Sequence, residues 1–172
     1  QPQTVTAVMG DDVRWVGNEG GQGRTTEWSA TVLAPASDPD LTQNNVLQID
    51  PMSPDLGSRE LVAKAGKMYW YPSEVDVSIR PGWFYHKDQD HQVKSLDELV
   101  SLYFQSVGCN SVLLLNIPPD TSGLLADNDV ASIKALGDYL RATFARNRVS
   151  GGNKPWQAAS GESKVFRVKP GL

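Results

Sequence analysis

The chain has 172 residues, enough for one domain with a sizeable hydrophobic core. Its hydrophobic content of 40% is typical of a globular protein, and its net charge of −4 argues against nucleic acid as a partner, because phosphates require a basic face. No apolar run approaches the roughly 18 residues of a membrane span. The single cysteine, Cys109, excludes an internal disulfide and is expected to be a buried thiol, and the two histidines lack metal-ligand spacing, so we expect no metal.

The first half of the chain predicts short strands and one long connection. Residues 4–9 predict a buried strand, and 13–16 end a second strand that leads into a glycine-rich turn. From 34 to 60 the sequence is polar and proline-rich and loses its pattern, which is typical of a functional or mobile connection, so we expect an excursion over one face that helps to shape a pocket. Residues 67–72 and 74–79 predict two more strands.

The second half alternates helix and strand. Ser95 and Glu98 form the sequence pattern of a capping box, and the helix that it starts is expected to stop at Gly108. The apolar run 111–117 predicts a parallel strand covered on both sides.

A last helix is expected to be capped by Asp127 or Asn128. Its apolar residues predict a buried stripe, made of Val130, Ile133, Leu136, Leu140 and Phe144. After a glycine-rich linker, residues 164–169 alternate like a strand. We therefore divide the chain into a domain at 1–148, and a linker with the possible start of a β domain at 149–172.

This order of elements predicts an α/β fold with parallel strands. Only three convincing inner strands are present, whereas a closed (β/α)8 barrel needs eight strands and typically about 250 residues. The chain is therefore either a small open α/β domain or the later part of a barrel.

The segment 13–21 concentrates groups that suit a polar ligand with a reactive bond. It brings Arg14, Trp15 and the carboxylate of Glu19 to a strand end followed by glycines, which let the loop bend sharply. The alternative for Glu19 is a solvated loop carboxylate, because short motifs match by accident.

Three separated segments, 14–19, 78–85 and 113–120, together resemble the α-L-fucosidases of glycoside hydrolase family 29. The resemblance spans roughly residues 4 to 146. It implies a TIM-like (β/α)8-type barrel, often followed by a β-sandwich, of which this chain matches the later strands and helices only. The first motif looks more like the branch that removes α-1,3- and α-1,4-linked fucose than like the broad-specificity branch.

The resemblance implies a retaining glycosidase, which needs two carboxyl groups. Glu19 is the candidate general acid/base, with Glu27 as runner-up because it also stands beside a tryptophan. Arg14 and Trp83 are the candidate fucose-binding residues. The family's aspartate nucleophile, and its fucose-holding histidines and tryptophan, match nothing here, so the nucleophile is expected outside this chain, which alone would be incomplete and inactive.

Each assignment has an alternative. Arg14 could form a strand-end ion pair with Asp11 or Asp12, and Trp83 could be core. Trp70 is expected in the core. For the chain as a whole, the competing hypotheses are a carbohydrate-binding module without catalysis and an inert α/β domain.

The implied partners are a fucosylated oligosaccharide or glycoconjugate, and the N-terminal part of the same catalytic domain, which another chain could carry. Glycoside hydrolysis uses carboxylates and water, so no cofactor is expected. The family is often exported, which favours a periplasmic or secreted location.

Overall fold

A computed structural model describes residues 12–35, 46–149, 155, 157 and 159–169. The predicted strand at 4–9 lies outside these residues. The chain divides into two compact units, Gln1–Ser132 and Ile133–Leu172, with the division inside the last helix. The boundary that we predict at residue 148 stays a prediction.

Five strands and three helices organise the described residues. In chain order they are β1 (Arg14–Trp15), β2 (Ala30–Thr31), α1 (Arg59–Val62), β3 (Tyr69–Trp70), β4 (Ser73–Ser78), α2 (Leu96–Ser106), β5 (Val112–Asn116) and α3 (Asp127–Phe144). Short 3₁₀ turns cover Lys87–Gln92 and Val107–Cys109. Among the described residues, no helix combines the length and the apolar character needed to cross a membrane.

Strands β1, β4 and β5 form a parallel sheet in that order. Parallel strands joined through α2 confirm the predicted α/β alternation in this part of the chain. Because all three strands run in one direction, their carboxyl ends meet at one edge of the sheet. The segments that follow Trp15, Ser78 and Asn116 therefore begin side by side.

The two faces of this sheet differ. The register pairs Val75 with Leu113 and Val77 with Leu115 on one face, where both valines are buried. Leu102 of α2 and Val77 both lie beside Gly21, so this is the face that the helix covers.

The opposite face carries Trp15, Asp76 and the β5 residues Val112 and Leu114. Val112 is 49% exposed and Leu114 is 47% exposed. The expectation that β5 is covered on both sides is therefore wrong for the described residues. The strand itself was predicted correctly.

Strands β2 and β3 pair antiparallel, apart from the parallel sheet. Their buried cluster contains Val46, Tyr69 and Tyr71, with Ala34 packed against it. Trp70, expected in the core, is instead 49% exposed, because its neighbour Tyr69 takes the inward position of this two-residue strand.

The capping box of α2 is confirmed. The Ser95 hydroxyl accepts from the Glu98 amide, and the Glu98 carboxylate accepts from the Ser95 amide at 2.7 Å. The helix ends at Ser106, two residues before the expected stop at Gly108, and continues as a 3₁₀ turn that closes at Asn110, a left-handed residue at φ 64°. Asparagine adopts this conformation more readily than other residues with a side chain. Cys109 is only partly buried.

Two expectations for the C-terminal part need correction. Helix α3 begins at Asp127, so Asp127 and Asn128 lie inside its first turn rather than before it. Its apolar stripe is not fully buried, since Val130 and Phe144 are exposed. In place of a strand at 164–169, the described residues show one antiparallel bridge, between Val149 and Val168.

Candidate active site

Glu19 stands on a tight loop that follows β1. Asn18 shapes this loop: its Oδ1 accepts from the Gly20 amide at 3.0 Å, and its Nδ2 donates to the Gln22 carbonyl at 3.0 Å. Gly17 has a φ of 91°, a conformation that favours glycine, and a Cβ there would clash with Met52. The loop thus fixes its own backbone and leaves the Glu19 side chain exposed.

Trp83 meets Glu19 across the sheet edge. Its indole Nε1 donates to Glu19 Oε2 at 2.8 Å, although the residues are 64 positions apart. Glu19 follows β1 and Trp83 follows β4, which is the neighbouring parallel strand. Two of the predicted site residues therefore come together at the carboxyl end of the strands, where α/β proteins place their chemistry.

The segment 80–83, called the Trp83 segment, is held at the strand ends by hydrogen bonds from side chains. Ser78 Oγ donates to the Gly82 carbonyl at 2.7 Å. Asn116 Nδ2 donates to the Trp83 carbonyl and to Ser78 Oγ, each at 3.0 Å. We call Ser78 and Asn116 the strand-end clamp. The three strands thus all contribute to this edge: β1 leads to Glu19, β4 to Trp83, and β5 holds the Trp83 segment in place.

A buried arginine anchors the start of the same segment. Arg80 binds the carboxylate of Asp129 through Nε at 2.9 Å and that of Asp90 through a terminal nitrogen at 2.9 Å. Its guanidinium also lies 4.7 Å from the centre of the Tyr85 ring and donates to the His86 carbonyl. Burial alone would lower the pKa of Arg80, but the two carboxylates outweigh it and raise the pKa, so the residue stays charged.

A second charged cluster joins Glu27 to Arg14 and Arg24. Glu27 Oε2 accepts from Arg14 at 2.6 Å, and Oε1 accepts from Arg24 at 2.7 Å. Arg14 and Glu27 are each only 3% exposed. Burial would raise the pKa of Glu27, but the hydrogen bonds and charges of the two arginines together lower it below its ordinary value. Glu27 is therefore a carboxylate near neutral pH and a poor proton donor.

Arg24 also ties the long connection to the site. It donates to the carbonyls of Ser53 at 2.6 Å, of Pro51 at 3.1 Å and of Val16 at 2.9 Å. Val16 leads directly into the Glu19 loop, and Met52 packs beside Gly17. The described part of the predicted excursion, from residue 46 onward, therefore lies against the loop that carries Glu19.

The structure differs from the prediction most clearly at Arg14. Both of its terminal nitrogens point to Glu27, so an ion pair does form, but not with Asp12, and Asp11 lies outside the described residues. The partner is 13 positions away in an irregular segment, which no periodicity reveals. Sequence reasoning also missed the clamp, although Asn116 is a polar residue that ends an apolar strand, which is a signal of a buried hydrogen-bonding role.

The family model of the alpha-L-fucosidases matches residues 12–143, which is most of the chain and includes Glu19, Trp83 and the clamp. The chain belongs to the alpha-L-fucosidase family. It is 33% identical over 148 residues to alpha-L-fucosidase 1 of Arabidopsis thaliana, a match that covers 86% of this chain and 26% of that protein.

Solved structures agree with this assignment. A Bacteroides ovatus crystal structure assigned to the alpha-L-fucosidases is 56% identical, with a TM-score of 0.81 over 95% of this chain and 28% of that one. A mutant GH29 fucosidase from Ruminococcus gnavus, in complex with fucose, is 30% identical, with a TM-score of 0.57 over 79% of this chain and 24% of that one. This chain thus spans about a quarter of the length of these relatives, and its place in glycoside hydrolase family 29 is confirmed.

Proposed function

We propose that the polypeptide carrying this chain is a retaining exo-α-L-fucosidase that removes terminal α-1,3- or α-1,4-linked L-fucose from glycans. The general acid/base is Glu19, and the aspartate nucleophile comes from outside this chain. The observation that carries the proposal is the hydrogen bond between Trp83 and Glu19 at the carboxyl edge of a parallel sheet, in a chain that belongs to the alpha-L-fucosidase family.

The parallel sheet supports a barrel around this site. Within the described residues, one face of this sheet is left partly exposed and carries Trp15, Asp76 and Leu114, and side chains of this kind would fill the interior of a (β/α)8-type barrel. The opposite face packs on α2, as the outer face of such a barrel packs on its helices. We propose that the N-terminal part of the catalytic domain supplies the remaining strands.

In a retaining mechanism one carboxylate attacks the sugar while the other protonates the leaving oxygen and then deprotonates water. Glu19 suits the second role better than Glu27. It is exposed and, among the described residues, accepts a hydrogen bond from an uncharged donor, whereas Glu27 is buried and bound to two guanidinium groups. A carboxylate fixed between two cations does not readily take up a proton.

Trp83 offers fucose an apolar face in addition to its N–H group. Aromatic rings suit the C–H surface of a sugar, and this ring is held beside the acid. A direct fucose contact by Arg14 stays a prediction. Its two terminal nitrogens bind Glu27, whereas its Nε has no hydrogen-bond partner among the described residues. A periplasmic or secreted location is part of the same proposal.

The test uses the natural full-length polypeptide and its Glu19→Gln variant. With a fucoside whose leaving group needs a proton, we expect the variant to lose activity by about 10²- to 10⁴-fold, since it lacks the general acid. With an activated aryl fucoside, azide should restore turnover, because azide attacks without a base. Glu60→Gln changes an exposed carboxylate on α1 and serves as the matched control.

The stereochemistry of the first product decides the mechanism. NMR spectra should show release of α-L-fucose, as double displacement requires. Release of the β-anomer would overturn the retaining mechanism. Fucose binding that Glu19→Gln leaves unchanged, in a protein without turnover, would overturn the enzyme assignment in favour of a carbohydrate-binding module.

A further inference from the structure

Asn116 connects the third strand of the sheet to the proton donor, although among the described residues its side chain hydrogen-bonds to neither Glu19 nor the indole of Trp83. Its Nδ2 group has two hydrogens, and each has an acceptor: the Trp83 carbonyl and Ser78 Oγ. Ser78 Oγ in turn donates to the Gly82 carbonyl. The orientation of the amide is therefore fixed, since only the nitrogen of the side chain can serve both acceptors.

The Trp83 segment depends on this clamp for its position. Its first residue, Arg80, is held by the bond to Asp129. The next two residues have less to hold them, because Pro81 has no amide hydrogen and a Cβ on Gly82 would meet no atom within 4 Å. Among the described residues, the hydrogen bonds that hold the main chain at Gly82 and Trp83 come from Ser78 and Asn116. The clamp thus sets where the indole of Trp83 stands.

The position of the indole determines how Glu19 can carry a proton. Indole Nε1 is a donor and cannot accept a hydrogen bond. Because it donates to Glu19 Oε2 at 2.8 Å, a proton on the carboxyl group is directed to Oε1. The oxygen that protonates the leaving group is therefore selected by Trp83.

We propose that Asn116 is a positioning residue for proton transfer by Glu19, acting through Trp83. It holds the tryptophan so that the transferable proton stays on Oε1. The proposal rests on the proposed function of Glu19 and adds a third strand to the acid/base apparatus. It concerns the transfer of a proton only, from Glu19 to the departing oxygen and from water back to Glu19.

The experiment replaces the donor and keeps the shape of the side chain. Asn116→Asp removes the two amide hydrogens that bind Ser78 Oγ and the Trp83 carbonyl, and it places a carboxylate oxygen against that carbonyl. The natural full-length protein and the variant are compared on two fucosides, one with a leaving group that needs protonation and one with an activated aryl leaving group. Asn128→Asp is the matched control, since Asn128 Nδ2 also donates to a main-chain carbonyl in the loop after β4, that of Asp90 rather than that of Trp83.

We expect Asn116→Asp to lower kcat/KM about tenfold or more on the poor leaving group, within the range of general acid catalysis. On the activated fucoside the loss should stay below about threefold, because that bond breaks without a proton. Asn128→Asp should change kcat/KM by the same factor on both fucosides. If Asn116 had a merely structural role, Asn116→Asp would also lower kcat/KM by the same factor on both fucosides, and that result would overturn the proposal.

Two further measurements keep the outcomes distinct. If thermal unfolding shows that Asn116→Asp does not fold, Ser78→Ala is used instead. It removes the bond to Gly82 and should lower kcat/KM selectively on the poor leaving group, to a smaller extent. An equal loss of kcat/KM on both fucosides would reject the clamp.

If the unaltered protein hydrolyses neither fucoside, the proposed function itself fails. Hydrolysis by the unaltered protein without a selective loss in the variants rejects only the role of Asn116.

Discussion

Glu19 and Glu27 lie eight positions apart in one loop region, yet the fold treats them in opposite ways. Glu27 is buried between Arg14 and Arg24, and its pKa is lowered. Glu19 is exposed and accepts from the uncharged indole of Trp83. The comparison shows how a chain separates a structural carboxylate from one that is available for chemistry. The first is bound by two positively charged side chains, and the second is oriented by an uncharged donor.

The largest expected effect on stability comes from Glu27→Gln. Without this carboxylate the positive charges of Arg14 and Arg24 lose their partner. An unpaired buried charge typically lowers the free energy of unfolding by about 3–5 kcal/mol. Denaturant unfolding of the full-length protein measures the loss. Glu19→Gln is the control and should unfold like the unaltered protein. If both substitutions lowered the free energy of unfolding equally, Glu27 would not be the structural carboxylate of the two.

The second test removes the donor from Glu19. Trp83→Phe keeps an apolar ring beside the sugar but loses the N–H group, and a hydrogen bond to a charged group is worth about 1.5–3 kcal/mol. We expect kcat/KM on a fucoside with a poor leaving group to fall by about 10- to 100-fold, while fucose inhibition changes little. Weaker fucose binding at an unchanged kcat would instead assign Trp83 to the sugar wall alone.

Acidification should destabilise the folded protein through Glu27. The folded-state pKa of Glu27 lies below its ordinary value of 4.5, so in this window the unfolded chain binds more protons than the folded protein, and stability falls as pH falls. Each pKa unit of lowering corresponds to about 1.4 kcal/mol. Thermal unfolding between about pH 7 and about pH 3 should therefore show a steeper loss for the unaltered protein than for Glu27→Gln. Parallel curves would contradict the assignment.

The smallest effect is expected from Asn18→Ala, which loosens the loop of Glu19 without touching Glu27. It removes the acceptor of the Gly20 amide and should cost about 0.5–1.5 kcal/mol locally. Hydrogen exchange is the measurement, since the Gly20 amide should exchange faster in the variant. Unchanged exchange would show that the glycines alone shape the loop.

Local patterns were predictable from this sequence, and distant partners were not. The capping box of α2 was found because Ser95 and Glu98 are near neighbours whose bonds form within one helical turn. Glu19 and Trp83 were each placed at a strand end, but their hydrogen bond depends on which strands are adjacent. The partner of Arg14 was missed for the same reason, as was the exposure of Val112, since neither depends on near neighbours in the sequence.

The pairing of Ser78 with Asn116 has a consequence for how such a chain can evolve. Strand residues alternate between two faces, so the insertion or deletion of one residue in β4 or β5 would turn every later side chain to the other side. Loops beyond the strands can grow with little penalty, since the entropy cost of a longer loop rises slowly. Substrate preference is therefore free to diversify through loop length, whereas the two strands must keep their length.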